Sequence, residues 1–307
     1  MSGPFSLPSW LSAELLRHRN AHAPRFSGYL SDHTPMAAMA MWWLGYDRYA
    51  IVRHIEDAAG YLEPIEKPGT LWHWGSALGQ LPNYAAFLDY FDQCIARDGI
   101  AETLNRHLPA LTSGWVKDAF HPMIRLAYGR RFGCTHEVSA GMAYLASVGP
   151  VRLERLAARS QQANRFDWPA RQAEGATFNE RLDGFLSEDA DSCVGMVDDH
   201  NIYAEAVLDL MNGAHDFFAL HLVTGHHAFK VSTDGLASVR DEWLATGLVA
   251  GYVAAGSPDF VSGVAPHAFH TDFEHEIKLA FTCHDYAKTT GSAAYRAAAI
   301  EYGSTLS

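Results

Sequence analysis

The sequence predicts an all-α protein, a single large multi-helix domain over residues 1–307 built around a buried metal site. Three observations carry that reading. Apolar residues recur at three-and-four spacing along most of the chain. Alternation of period two never runs beyond four or five residues. Finally, 17 histidines are spread over 307 residues, many in apolar surroundings, and imidazole is the commonest metal-ligating side chain.

Taken in order, the periodic segments are Pro35 to Leu44, Tyr46 to Leu62, Asn83 to Arg97, Trp115 to Tyr128, Glu137 to Val148 and Asp199 to about Val223. Ala237 to Ala255, Asp272 to Lys288 and Ala293 to Tyr302 follow. Pro35 suits a first helical position and disfavours helix at the residue before it, so Thr34 is the expected N-cap. Thr271-Asp-Phe-Glu274 has the capping-box pattern, which places the N-cap of the later helix at Thr271. Breaks at Glu63 to Gly69, Ser160 to Trp168, Ser187 to Met196 and Gly256 to Pro266 lack the length and composition of flexible linkers. The chain therefore reads as one domain, with the polar stretch 160–197 as a mobile insert or lid.

Composition removes several classes of function. The formal charge is -12 and no Lys/Arg-rich run occurs, so the footprint of a nucleic-acid binder is missing. The start has no basic segment followed by an apolar one, and no apolar stretch reaches the roughly 18 residues of a membrane span. A cytoplasmic protein is expected, with no membrane partner. Cys94, Cys134, Cys193 and Cys283 form no CxxC pair and read as buried thiols. Gly247, Gly251 and Gly256 follow no strand and match neither G-x-G-x-x-G nor a P-loop, so no NAD(P)H or flavin site is expected.

The candidate ligands are weighed one by one. His33 precedes the helix signalled by Pro35, where the positive helix end favours the neutral imidazole that a metal requires. It serves equally well as a capping residue. His121, in Phe120-His-Pro-Met-Ile124, is expected to be buried, and a buried imidazole needs a partner, of which a metal is one kind. In the segment Ala214 to Ala228, His215 and His221 would point about 120° apart on one helix. His221 lies on the apolar side with Phe217 and Phe218, and His226 and His227 fall at or beyond the helix end. His275 and Lys278, three apart, share a helix face. On their own they read as a surface histidine beside an exposed lysine.

Together these motifs carry a resemblance. Leu30-Ser-Asp-His33-Thr-Pro-Met36 with Leu44-Gly45, Trp74 with Leu78-Gly79 and Tyr84, Phe120-His121-Pro-Met-Ile-Arg-Leu-Ala-Tyr128, His221-Leu-Val-Thr224 and His275-Glu-Ile-Lys278 resemble the questin oxidase-like family, from about residue 26 to residue 300. The resemblance implies a non-haem Fe(II) oxygenase that opens a ring of a polycyclic aromatic polyketide such as an anthraquinone, by a Baeyer–Villiger-like reaction or a dioxygenation. It implies His33, His121, His221 and His275 as iron ligands, with Lys278 carboxylated by CO2 as the anionic ligand. Such a set leaves about one open position on an octahedral iron for dioxygen or a substrate oxygen. Asp32, Asp216 and Glu276 are candidates to orient imidazoles, although each also reads as an ordinary exposed carboxylate. Trp42, Trp72, Trp74, Phe217 and Phe218 could line a flat pocket or simply fill core. His226 is a weak candidate for a general base.

Two other classes stay open. One is a non-catalytic helical protein that holds a metal or ligand with the same histidines. The other is a zinc hydrolase using carboxylated Lys278. The expected partners are an aromatic small molecule and dioxygen. The residues do not name the substrate or the oligomeric state.

Overall fold

A computed structural model describes residues 5–66, 69–71, 73–156, 158–161, 166–169, 171–187, 194–197, 199–214, 216–236, 239, 242–259 and 271–304. The chain is all-α, as its periodicity predicts. It gathers into two compact units, residues 1–150 with 228–239 and residues 151–227 with 240–307. Among the described residues no helix is long and apolar enough to cross a membrane.

The first unit begins with α1 (Ser9–Ala21), a hairpin of β1 (Arg25–Phe26) and β2 (Leu30–Ser31), then α2 (Thr34–Leu44) and α3 (Arg48–Ala58). Its centre is α4 (Tyr84–Leu111), α5 (His121–Arg131) and α6 (Thr135–Val148). Helices α5 and α6 approach closely because glycine faces backbone at both crossings. A Cβ on Gly129 would sit 2.5 Å from the Val138 nitrogen, and one on Gly141 would sit 2.5 Å from Leu126 backbone. That proximity brings the buried Arg125 guanidinium onto Glu137, Nε donating at 2.7 Å. The carboxylate of Asp32 accepts from His18 Nε2 at 2.8 Å and lies 3.8 Å from Arg125. A buried charge survives only when paired in this way.

The second unit contains β3 (Ala158–Gln161), α7 (Phe178–Ser187), β4 (Val194–Val197), α8 (His200–Ala214), α10 (Glu242–Ala254), α11 (Phe273–Thr290) and α12 (Ala293–Ser304). Strands β3 and β4 pair in parallel, and α11 packs on α12 across the left-handed Gly291 (φ 78). The long helix α9 (Phe217–Thr233) gives its first part to this unit and its last to the other. The stretch 160–197 expected to be a lid contains α7 and β4, and part of it lies outside the described residues.

Several expected boundaries move, each for a local reason. Trp115 to Tyr128 is not one helix: residues 112–120 form tight 3-10 turns and α5 starts at His121. Pro122 in a helix interior would clash with the carbonyl four residues back, whereas it fits a first turn. Asp199 to Val223 divides into α8 and α9, because the Asp216 carboxylate accepts the Phe218 and Ala219 N–H groups and caps a new helix. His226 and His227 thus lie inside α9, not at its end. The N-cap of α2 is His33 in place of Thr34, and the Asp32 carboxylate accepts the Thr34 N–H at 3.0 Å. That of α11 is Asp272 in place of Thr271, with Glu276 accepting the Thr271 N–H. Helix α1 escapes the apolar pattern because its buried face includes His18 and Arg19 beside Leu11 and Leu15.

Gly247 and Gly251 lie within α10 and Gly256 (φ 94) just beyond it, so they belong to a helix and its end, not to a phosphate loop. Cys94, Cys134 and Cys283 are buried free thiols, while Cys193 falls outside the described residues.

Candidate metal centre

In the first unit the His33 and His121 rings stack, with centroids 4.5 Å apart and planes 10° from parallel. His33 sits at the start of α2, directly after the hairpin and the buried Asp32. His121 opens α5 after an unusual turn: Asp118 (φ 51), Ala119 (φ 49) and Phe120 (φ 69) are all left-handed. Residues with a Cβ visit that region singly and at a cost. The turn brings the Asp118 carbonyl to 2.5 Å from His121 Nδ1. A carbonyl only accepts, so Nδ1 carries the proton and Nε2 keeps its lone pair.

In the second unit His221 and His275 face each other through their Nε2 atoms at 3.2 Å. His221 Nδ1 donates to the Phe217 carbonyl at 2.9 Å. His275 Nδ1 donates to the Asp272 carboxylate at 2.6 Å, and the same carboxylate accepts the His275 backbone N–H. Both Nδ1 atoms are therefore protonated and both Nε2 atoms are acceptors. Two neutral imidazoles in this tautomer have no hydrogen to share, and their lone pairs repel unless a cation stands between them. Two imidazole nitrogens at right angles on one ion, each about 2.1 Å from it, would be about 3.0 Å apart. The pair fits that requirement.

Protonation of His275 is disfavoured. Burial, with the neighbouring Lys278 charge adding to it, pushes the His275 imidazole down to about 4, against the opposing pull of Asp272. Burial raises the Asp272 carboxyl, but its hydrogen bonds to the His275 ring and backbone, with the charges of His275 and Lys278, together outweigh that and hold it below the usual range. Lys278 lies one helical turn beyond His275 and is 1% exposed, so the exposed-lysine alternative does not hold. The Phe217 ring covers both imidazoles, its centroid 4.9 Å from that of His221 and 4.7 Å from that of His275.

The remaining sequence candidates go elsewhere. Asp32 is not exposed: it is buried against His18 and Arg125, and although burial raises its carboxyl, His18 and then Arg125 hold it below the usual value. Asp216 and Glu276 serve as helix-start acceptors. His226 is buried with its ring against Tyr286. Trp42 packs on Phe132, Trp74 on Tyr90 and His107, and Phe218 on Phe178. Trp72 and His215 lie outside the described residues. The groups that do orient imidazoles, the Asp118 and Phe217 carbonyls and the Asp272 carboxylate, were missed. Their common signal is an oxygen acceptor three or four residues before the histidine, the reach of one helical turn.

The family model described as questin oxidase-like matches residues 30–192, more than half of the chain and a span that holds His33 and His121. No curated protein matches the chain.

Proposed function

Because the chain belongs to the questin oxidase-like family, we propose that it is an oxidoreductase acting on anthraquinone-type substrates, and more specifically a non-haem iron oxygenase that cleaves a ring of a polycyclic aromatic polyketide. His33, His121, His221 and His275 are the proposed ligands, with Lys278, carboxylated by CO2, as the anionic one. The observation that supports the metal is the His221–His275 pair, whose Nε2 atoms stand 3.2 Å apart and are both acceptors when the two imidazoles are neutral.

When bound, iron would supply a one-electron donor for dioxygen and a Lewis acid for a substrate oxygen. The chain's own groups do the rest. Asp272 and the Phe217 and Asp118 carbonyls hold three imidazoles in the tautomer that points Nε2 outward, an arrangement that raises ligand basicity. Lys278, buried beside His275, would become an anion on carboxylation and so offset half of a divalent charge. Phe217, 38% exposed and resting on two imidazoles, offers a flat apolar face for an aromatic substrate. His226, turned to Tyr286, receives no proton-transfer role in this reading.

Ring cleavage balances in two ways. A dioxygenation puts both oxygen atoms into the product and needs no other reductant. A Baeyer–Villiger-like insertion puts in one, and the other leaves as water at the expense of two protons and two electrons, which the hydroquinone form of the substrate or an added two-electron reductant would have to supply.

The test is metal analysis of protein purified without air, followed by oxygen uptake with a hydroxyanthraquinone and labelled dioxygen. One iron per chain, substrate-dependent oxygen uptake and label in an opened ring are expected. Tightly held zinc with no oxygen uptake would point to a non-catalytic metal-binding protein, and absence of any transition metal, even after Fe(II) is added, would falsify the reading. Labelled CO2 that gives no carbamate signal, or a signal that persists in Lys278→Ala, would remove Lys278 from the set.

A further inference from the structure

A chain of buried and half-buried polar groups in the first unit links the backbone just before His33 to the turn just before His121. Arg25, on β1, donates through Nε to Asp118 Oδ2 at 2.5 Å and through Nη2 to Oδ1. The Tyr144 hydroxyl of α6 donates to the same Oδ2 at 2.6 Å. Its single proton is then committed, so the Ser31 hydroxyl must donate to the Tyr144 oxygen, 2.9 Å away. Ser31 lies on β2, pairs with Arg25 across the hairpin and precedes His33 by two residues. Asp118 is the first of the three left-handed residues, and its carbonyl holds His121 Nδ1.

We propose that Arg25, Tyr144 and Ser31 are positioning residues for the His33/His121 pair, acting through Asp118 to hold the left-handed turn and the hairpin in register. The physical reason is that the turn is not self-supporting. Three consecutive L-residues at positive φ persist only where surrounding contacts over-determine them. The bidentate guanidinium–carboxylate pair fixes the Asp118 side chain in the plane of the fork, and the phenol fixes it from a third direction. Once the side chain is held, the backbone carbonyl has one direction left, toward His121. Because the chain ends on Ser31, the same contacts set the approach of the strand that leads to His33. None of these side chains would touch the substrate or the metal. The inference rests on the metal-centre reading for its purpose, and its geometry stands independently.

The experiment compares wild type with Tyr144→Phe, Arg25→Lys and Ser31→Ala, using cobalt(II) alone as the metal probe and imidazole nitrogen NMR on the metal-free full chain. Wild type should show His121 in a single tautomer with Nδ1 protonated. Tyr144→Phe and Arg25→Lys should mix the two tautomers, weaken cobalt binding by about 10- to 100-fold and alter the cobalt ligand-field spectrum of the folded protein, a readout that a loss of stability alone would leave unchanged. In a His121→Ala background the same substitutions should change cobalt affinity by less than in wild type, leaving only the part that acts through His33. Ser31→Ala leaves the ion pair in place, so it keeps the test available should the other two fail to fold, and a smaller shift in the same direction is expected. An unchanged His121 tautomer together with unchanged cobalt affinity and spectrum would overturn the proposal. If wild type binds no cobalt, the metal reading fails, and the tautomer measurement alone decides whether these residues position His121.

Discussion

In the first unit His121 is delivered by three left-handed residues, the first of which, Asp118, is paired with Arg25 and accepts from Tyr144, whereas in the second His221 and His275 ride on regular helices, each imidazole held by an acceptor within one turn. The chemical outcome is shared: three of these imidazoles commit Nδ1 to an oxygen and present Nε2. The backbone routes differ because of what precedes each histidine. On α9 and α11 helix geometry by itself brings the oxygen of residue i-4 or i-3 to the ring. Before His121 stands no helix, because Pro122 has to occupy a first turn, and the carbonyl must be aimed by an irregular turn that distant residues hold in place. Local sequence suffices in one case and long-range contacts are needed in the other.

Removing a proposed ligand from either pair, His121→Ala or His275→Ala, should abolish retention of iron through gel filtration, read by elemental analysis. Equal retention in one variant would show that its pair is not a metal site. Next, Arg125→Met should destabilise the protein by about 3–5 kcal/mol, since it strands the buried Glu137 and Asp32 carboxylates. Denaturant unfolding measures this, and a loss below about 1 kcal/mol would mean that the buried charges matter no more than surface pairs.

Acid should expose the second pair. The folded His275 resists protonation down to about 4 while the unfolded residue protonates at 6.5. The unfolded chain therefore binds the extra proton between those values, so metal-free stability is full above pH 6.5 and falls toward pH 4, by about 3 kcal/mol. His275→Asn should flatten that slope, and an unaltered slope would contradict the assignment. Asp272→Ala removes both the cap and the ring's acceptor. It should cost about 10- to 100-fold in metal affinity and about 1 kcal/mol in stability, measured by metal titration and by thermal unfolding.

The smallest effect carries the clearest contrast of sign. Ala119→Gly relieves a left-handed alanine (φ 49) and should leave stability unchanged or raise it by up to about 1 kcal/mol, the relief being partly offset by the freer unfolded chain. Ala219→Gly, within α9, should lower it by about 1 kcal/mol. If both destabilise equally, the turn before His121 is not strained.

Much of this protein was legible in the residues because helical periodicity, Pro35, Pro122 and the paired motifs act over one or two turns. The all-α class, most helices and the family follow from them, as do His33, His121, His221, His275 and Lys278 as the residues to examine. What stayed hidden has one physical cause. Polar pairs such as Arg25 with Asp118, or His18 with Asp32, join residues 93 and 14 positions apart, and no local pattern marks a polar side chain as buried. Helix α1 and the true partner of Asp32 were lost for that reason. The order of residues is enough to say which imidazoles exist and which oxygens lie within one turn of them. Only the tertiary structure decided that His221 and His275 meet through their acceptor nitrogens and that a left-handed turn holds His121, because both depend on contacts between segments that the chain keeps far apart.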